Sequence, residues 1–223
     1  MNHQILFDQE IDELKGRIVK MGEVVGQLIV RSVAALANCD DDLAKQVVKD
    51  DVEVDRLELE IDDSCINLIA VRQPMAIDLR TITTGMRIAT DLERIGDLAE
   101  DIAERAIELA EQGLVKPLVD IPEMAQLAQE ALVEALTAFR SGDITLAKSV
   151  WEKEKKIDKL RDHVQDELMT IMEKEPHAVS KAVPLLLVAR HLERIADHAT
   201  NIVEDVVYMV QAKVVKHSGG EKN

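Results

Sequence analysis

Apolar residues recur every three to four positions along six stretches of this chain, and no stretch reads as a strand. In the first stretch, Ile11, Leu14, Ile18, Met21, Val25 and Leu28 line one side of a helix from about Asp8 to Leu36. Asn38-Cys39-Asp40 breaks the pattern, and Asp40 is placed to cap a second helix running to about Arg72. Its apolar side carries Val48, Val52, Leu57, Ile61, Cys65 and Leu68. Gln73-Pro74 ends it, because the residue before a proline is pushed out of the α region. A third helix, from about Asp78 to Glu111, is on the order of 50 Å long.

Gly113 and Pro117 mark a linker. Asp120-Ile121-Pro122-Glu123 then reads as a capping box for a fourth helix ending near Arg140. The fifth helix spans about Ile144 to Lys174. The sixth spans about Ala178 to Lys216, with Pro184 predicting either a later start or a kink. The polar tail from His217 to Asn223 reads as flexible.

The two halves correspond. Leu43-Ala44-Lys45 and Val54-Asp55 recur as Leu146-Ala147-Lys148 and Ile157-Asp158, 103 residues later. Pro74 recurs as Pro176 at an offset of 102, and Leu92-Glu93-Arg94-Ile95 as Leu192-Glu193-Arg194-Ile195 at 100. The shrinking offset puts a short deletion in the loop between the second and third helices of the second copy. The expected fold is therefore all-α: two tandem antiparallel three-helix bundles related by internal duplication. The expected domains are residues 1–115 and 116–216, with 217–223 as the tail.

Composition narrows the chemistry. Aromatic residues make up only 2% of the chain, so small and aliphatic side chains must fill the core, which suits close helix packing. The net charge of −16 disfavours nucleic acid and anionic lipid, and favours metal ions or basic protein surfaces. Two cysteines without CxxC spacing exclude a disulfide framework, and both Cys39 and Cys65 read as small core hydrophobes. No apolar run is long enough to span a membrane and no leader is recognisable, so the expected location is the cytoplasm.

The third and sixth helices carry the candidate chemistry. Ile88, Leu92, Ile95, Ala99, Ile102 and Ala106 form an apolar stripe, repeated by Val188, Leu192, Ile195, Ala199, Ile202 and Val206. Glu93, Asp97 and Asp101 fall one turn apart on nearly the opposite side, as do Glu193, Asp197 and Asn201. These polar positions are expected to face solvent, a metal or a partner. The second and fifth helices add Asp51 with Asp55 and Glu154 with Asp158 at matched places. Carboxylates one turn apart repel by a few tenths of a kcal/mol, and a shared hard cation reverses the sign. With 43 acidic residues the same spacing also occurs at Asp8–Asp12 and Glu58–Asp62, so spacing alone leaves a solvated face and a cation site both open. Arg94 and Arg194 can each pair with the aspartate three residues on. His191 and His198 have Asp91 and Leu98 as counterparts and read as helix-packing or solvated residues. Gly85 and Gly96 read as close-packing points between helices. The absence of Glu-x-x-His argues against a ferritin-like di-iron core, and no phosphate-binding loop or nucleophile elbow is present.

Gln73-Pro74-Met75-Ala76-Ile77-Asp78-Leu79-Arg80 followed by Asp91-Leu92-Glu93-Arg94-Ile95-Gly96-Asp97 closely resembles the PhoU family, as does Ala189 through Ile202. The resemblance covers essentially the whole chain. It implies a non-enzymatic, cytoplasmic, homodimeric regulator of phosphate uptake that represses the phosphate-starvation response. The implied partners are a phosphate ABC transporter, through its ATPase subunit, and a sensor histidine kinase. It also implies surface sites for iron or other divalent or trivalent metal ions. The matching positions are Asp51, Asp55, Glu93, Asp97, Glu154, Asp158, Glu193 and Asp197, with Asp101 and Asn201 extending the stripes. Asn201 leaves the second set one charge short, so weaker binding is expected there. The alternatives are a metal-handling protein or metal-dependent enzyme built on the stripes, and a purely structural bundle.

Overall fold

The computed structural model describes residues 2–214, with side chains from Leu6 onward. Seven α-helices are present among these residues, and no strand: α1 (Asn2–Asn38), α2 (Asp41–Asp50), α3 (Val52–Arg72), α4 (Ile77–Ala110), α5 (Asp120–Ser141), α6 (Ala147–Lys174) and α7 (Val179–Gln211). Short 3-10 turns lead into α6 and α7. The six expected stretches are all helical, but the second is divided at Asp51. There the Val54 N–H bonds the Asp51 carbonyl three residues back at 2.7 Å, tightening one turn. The last helix stops at Gln211, short of the expected Lys216, because Ala212 turns left-handed (φ 54°) and its N–H closes on the Tyr208 carbonyl; the tail from His217 lies outside the described residues.

Local chemistry explains most boundaries. Cys39 takes a left-handed conformation (φ 52°), and the Asp40 N–H reaches back to the Ala35 carbonyl to close α1. The Asp40 carboxylate accepts the Leu43 N–H at 3.0 Å and caps α2. Gly142 (φ 74°) ends α5. The capping box expected at Asp120 is not formed. Asp120 is the first helical residue, and its carboxylate is engaged by His163 Nδ1 at 2.7 Å. Pro184 lies inside α7, past the first turn from Val179, so the start is not delayed and one backbone bond, to the Ser180 carbonyl, is given up there. Cys65 is buried as expected, whereas Cys39, at the helix end, is only half-buried.

Helices α1 to α4 form one bundle and α5 to α7 the other, and α1 packs on α5 while α4 packs on α7 across the seam. Both cross-seam pairs are antiparallel. Gly22 lies against Leu136 and Gly26 against Gln129. From one end of α4 to the other, Arg80 donates to the Met209 carbonyl, Arg87 bridges Asp205, Asp91 meets His198 and Asp101 approaches His191. Equivalent helices thus meet each other in opposite directions, an arrangement like a two-fold dimer within one chain. The buried side chains of both bundles join in one continuous apolar cluster. The histidines take the helix-packing role: His198 Nδ1 lies 2.8 Å from Asp91 across the seam. The glycines act as expected. A Cβ at position 85 would stand 2.9 Å from Ile18, and one at position 96 would stand 2.7 Å from Asp51 Oδ1.

Candidate functional site

Asp51 is placed by the bend between α2 and α3 and by the missing side chain of Gly96 on α4. It is 6% exposed, and its Oδ1 is buried with no hydrogen-bond partner. Leaving such an atom unpaired costs on the order of 1–3 kcal/mol or more, so the arrangement calls for a proton or a cation. Oxygens of Asp51, Asp55 and Asp97 lie within 4.8 Å of one another. This trio brings together residues from two helices that one-turn spacing within a single helix cannot join. Glu93 stands beside it, with Arg94 bridging both Glu93 (3.4 Å) and Asp97 (3.2 Å).

The electrostatics follow from the crowding. Burial first, then Glu100, Asp55, Asp97 and Glu93, push the Asp51 carboxyl up to about 7. Burial and Asp97 raise Glu93. Burial, then Glu104, Asp97, Asp101 and Asp55, raise Glu100. Sequence reasoning missed Glu100, which breaks the four-residue spacing and has Thr200 as its counterpart. The signal for it was its place seven residues after Glu93, two full turns along the same side. An all-oxygen donor set with excess negative charge and an orphaned buried oxygen fits a hard cation, which Asp51, Asp55 and Asp97 would hold with Glu93 and Glu100 beside them.

The second set is arranged differently. Glu154 and Asp158 sit on α6, which runs through this region unbroken. Burial and then Asp158 raise Glu154, and burial and then Glu193 raise both Asp158 and Asp197. Glu193 departs from the expected outward face: it is 7% exposed, held by Arg190 and by Arg161 at 3.3 Å. Arg194 makes no bridge to Asp197; Arg190 and Arg161 supply the positive charge instead. Among the described residues these four carboxylates bring no three ligand atoms within 4.8 Å, as the first set does. Asp101 and Asn201 are not members of the trio, although Asp101 acts on Glu100 beside it. They stand at the α4–α7 seam, Asp101 3.8 Å from His191 and Asn201 lining an open cavity of about 570 Å³ with Arg87, Asp91 and Tyr208. A second trio of ligand atoms, Asp120, His163 and Glu167, was also missed from sequence; there Glu167 is bridged by Lys116.

Comparison with known proteins agrees with this architecture. The PhoU domain family matches twice, over residues 18–106 and 121–206, one match in each bundle. The "Phosphate-specific transport system accessory protein PhoU homolog" of Aquifex aeolicus is 42% identical over 94% of this chain and 95% of its own length. The homolog of the same description from Pseudomonas aeruginosa is 37% identical over 96% of this chain and 88% of its own. The crystal structure of PhoU from Pseudomonas aeruginosa superposes with a TM-score of 0.89, covering 93% of this chain and all of that one. The phosphate transport system regulatory protein PhoU from Streptococcus pneumoniae gives 0.88 at 28% identity, covering 94% of this chain and 99% of that one.

Proposed function

The chain belongs to the PhoU family, and from that premise we propose that it restrains a phosphate ABC transporter and represses the phosphate-starvation response. It is a non-catalytic accessory protein of phosphate transport. In this reading it docks in the cytoplasm on the transporter's ATPase subunit and on a sensor histidine kinase, and works as a homodimer. The observation that carries the reading is identity over nearly the full length of relatives described as phosphate-transport accessory proteins. Among the described residues no helix is long and apolar enough to cross a membrane.

One exposed surface supports docking on the transporter. The turn from α3 to α4 presents Val71 (73% exposed), Met75 (79%) and Ile77 (53%) at one end of the first bundle. Gln73 and Ala76 both hold positive φ there, which shapes the turn outward at a steric cost. Apolar side chains gathered on a strained turn suit a protein contact. Met75→Asp is expected to weaken binding to the ATPase subunit at least tenfold while leaving thermal stability unchanged. Surface plasmon resonance with and without phosphate measures this. No binding of the wild-type chain to the ATPase subunit or to the kinase, under either condition, removes the regulatory reading.

The Asp51, Asp55 and Asp97 trio supports one addition to this function, a bound iron or similar divalent or trivalent cation that steadies the first bundle's outer surface. The alternative of metal handling as the main task rests on the same trio. It predicts bound metal that exchanges readily, with transport control unaffected when the trio is lost.

A further inference from the structure

We propose that the two duplicated carboxylate clusters have diverged in kind: the α3–α4 cluster is the cation site, and at the α6–α7 cluster Arg161 and Arg190 replace the cation and keep metal out. The inference rests on the cation reading of the first cluster and concerns what became of its duplicate.

The equivalences carry it. At the offset of 103 that matches Asp55 with Asp158, Glu58 becomes Arg161. At the offset of 100 that matches Glu93 with Glu193, Thr90 becomes Arg190 and Glu100 becomes Thr200. All three exchanges move the second cluster toward positive charge. Their consequences are visible in the contacts. In the first bundle the Thr90 hydroxyl donates to Glu58 at 3.3 Å, an added acidic group beside the site. In the second, Arg161 and Arg190 both hold Glu193, so the most buried carboxylate of that cluster is already served by two guanidinium groups.

The backbone has diverged in the same direction. Asp51 sits at a break between two helices, with Gly96 opposite. Glu154 sits within a continuous helix, and the position equivalent to Gly96 is Ala196. A guanidinium held by a buried carboxylate is permanently charged and cannot be lost to a chelator. One bundle is then set by the availability of metal, and the other is fixed.

Trp151, the only tryptophan, lies on α6 one turn before Glu154, so it can sensitise terbium bound at the second cluster. The experiment uses the full chain stripped with chelator. Manganese binding is followed by calorimetry and terbium binding by emission on tryptophan excitation. In the wild type, manganese binding is expected to fall at least tenfold with Asp51→Asn plus Asp55→Asn, and to stay within twofold with Glu154→Gln plus Asp158→Asn. Arg161→Glu with Arg190→Thr, which installs the first bundle's residues, is expected to gain tryptophan-sensitised terbium emission. Arg161→Ala alone gives the milder form of the same gain. Three results overturn the proposal while leaving the first-cluster reading intact. One is wild-type emission that survives Asp51→Asn plus Asp55→Asn. Another is a tenfold loss of manganese binding with Glu154→Gln plus Asp158→Asn. The third is no gain in either arginine variant. A wild type that binds neither ion overturns the first-cluster reading, and this proposal with it.

Discussion

Asp51→Asn is expected to stabilise the metal-free chain at pH 8 and, at the same time, to lower its affinity for a divalent cation at least tenfold. The two effects have one cause. The Asp51 carboxyl titrates at about 7 in the folded chain against 3.8 ordinarily, so the folded state holds its proton more tightly than the unfolded state. The stability linked to that proton is fully present below pH 4. It declines as the pH rises through 7 and is absent above it. Asparagine never ionises, so the variant loses this decline. The full shift converts to about 4 kcal/mol, and screening by water at the open side of the cluster brings the expected gain at pH 8 to roughly 2 kcal/mol. Asp51 makes no side-chain cap to α3, so no capping bond is lost in the exchange. With a cation present the order inverts, since the ion needs the ionised carboxylate and binds more weakly below pH 7. Denaturation at pH 5 and pH 8, with chelator and with manganese, measures all four values. A variant less stable than wild type in chelator at pH 8 would show that Asp51 serves structure rather than binding.

Separated at the linker, residues 1–115 and 116–223 are each expected to lose cooperative unfolding, and to recover it when mixed. The sequence suggests two domains; the packing suggests one folding unit. Each half alone uncovers an apolar face that the other covers: α1 and α4 in the first, α5 and α7 in the second. It also strands the seam's polar groups, among them Asp91 with His198 and Arg87 with Asp205. An ion pair stripped of one partner at a newly wetted face contributes little, so the loss is mainly apolar. The expected loss is on the order of the whole stability of a small domain, about 5 kcal/mol or more. Circular dichroism melting of each half and of the mixture reads the outcome. Two halves that each melt cooperatively near the intact chain's Tm would establish independent domains.

The helices, their apolar stripes and the duplication were legible because each is written in the local period of the chain. Ile88, Leu92, Ile95, Ala99, Ile102 and Ala106 are all buried, as their spacing demands. What the period could not carry was anything decided between helices. The outward wheel position of Glu193 predicted exposure, but Arg161 arrives from α6 and covers it. Asp101 and Asn201 continue the acidic stripe in sequence, yet the stripe winds around α4 and α7 into the seam, where the other bundle claims them. Asp51 looked like an ordinary member of a one-turn pair. Its burial depends on a glycine 45 positions away, at Gly96. The arginine exchange was readable in principle, since the offsets that aligned the carboxylates also align Glu58 with Arg161.

The most direct test of the regulatory account is a phosphate-starvation reporter in a bacterial strain lacking its own PhoU-family gene and carrying this chain on a plasmid. In phosphate-rich medium the reporter is expected to be silent with the wild-type chain and active with Met75→Asp. A reporter equally active with the wild-type chain and with an empty plasmid would contradict the account.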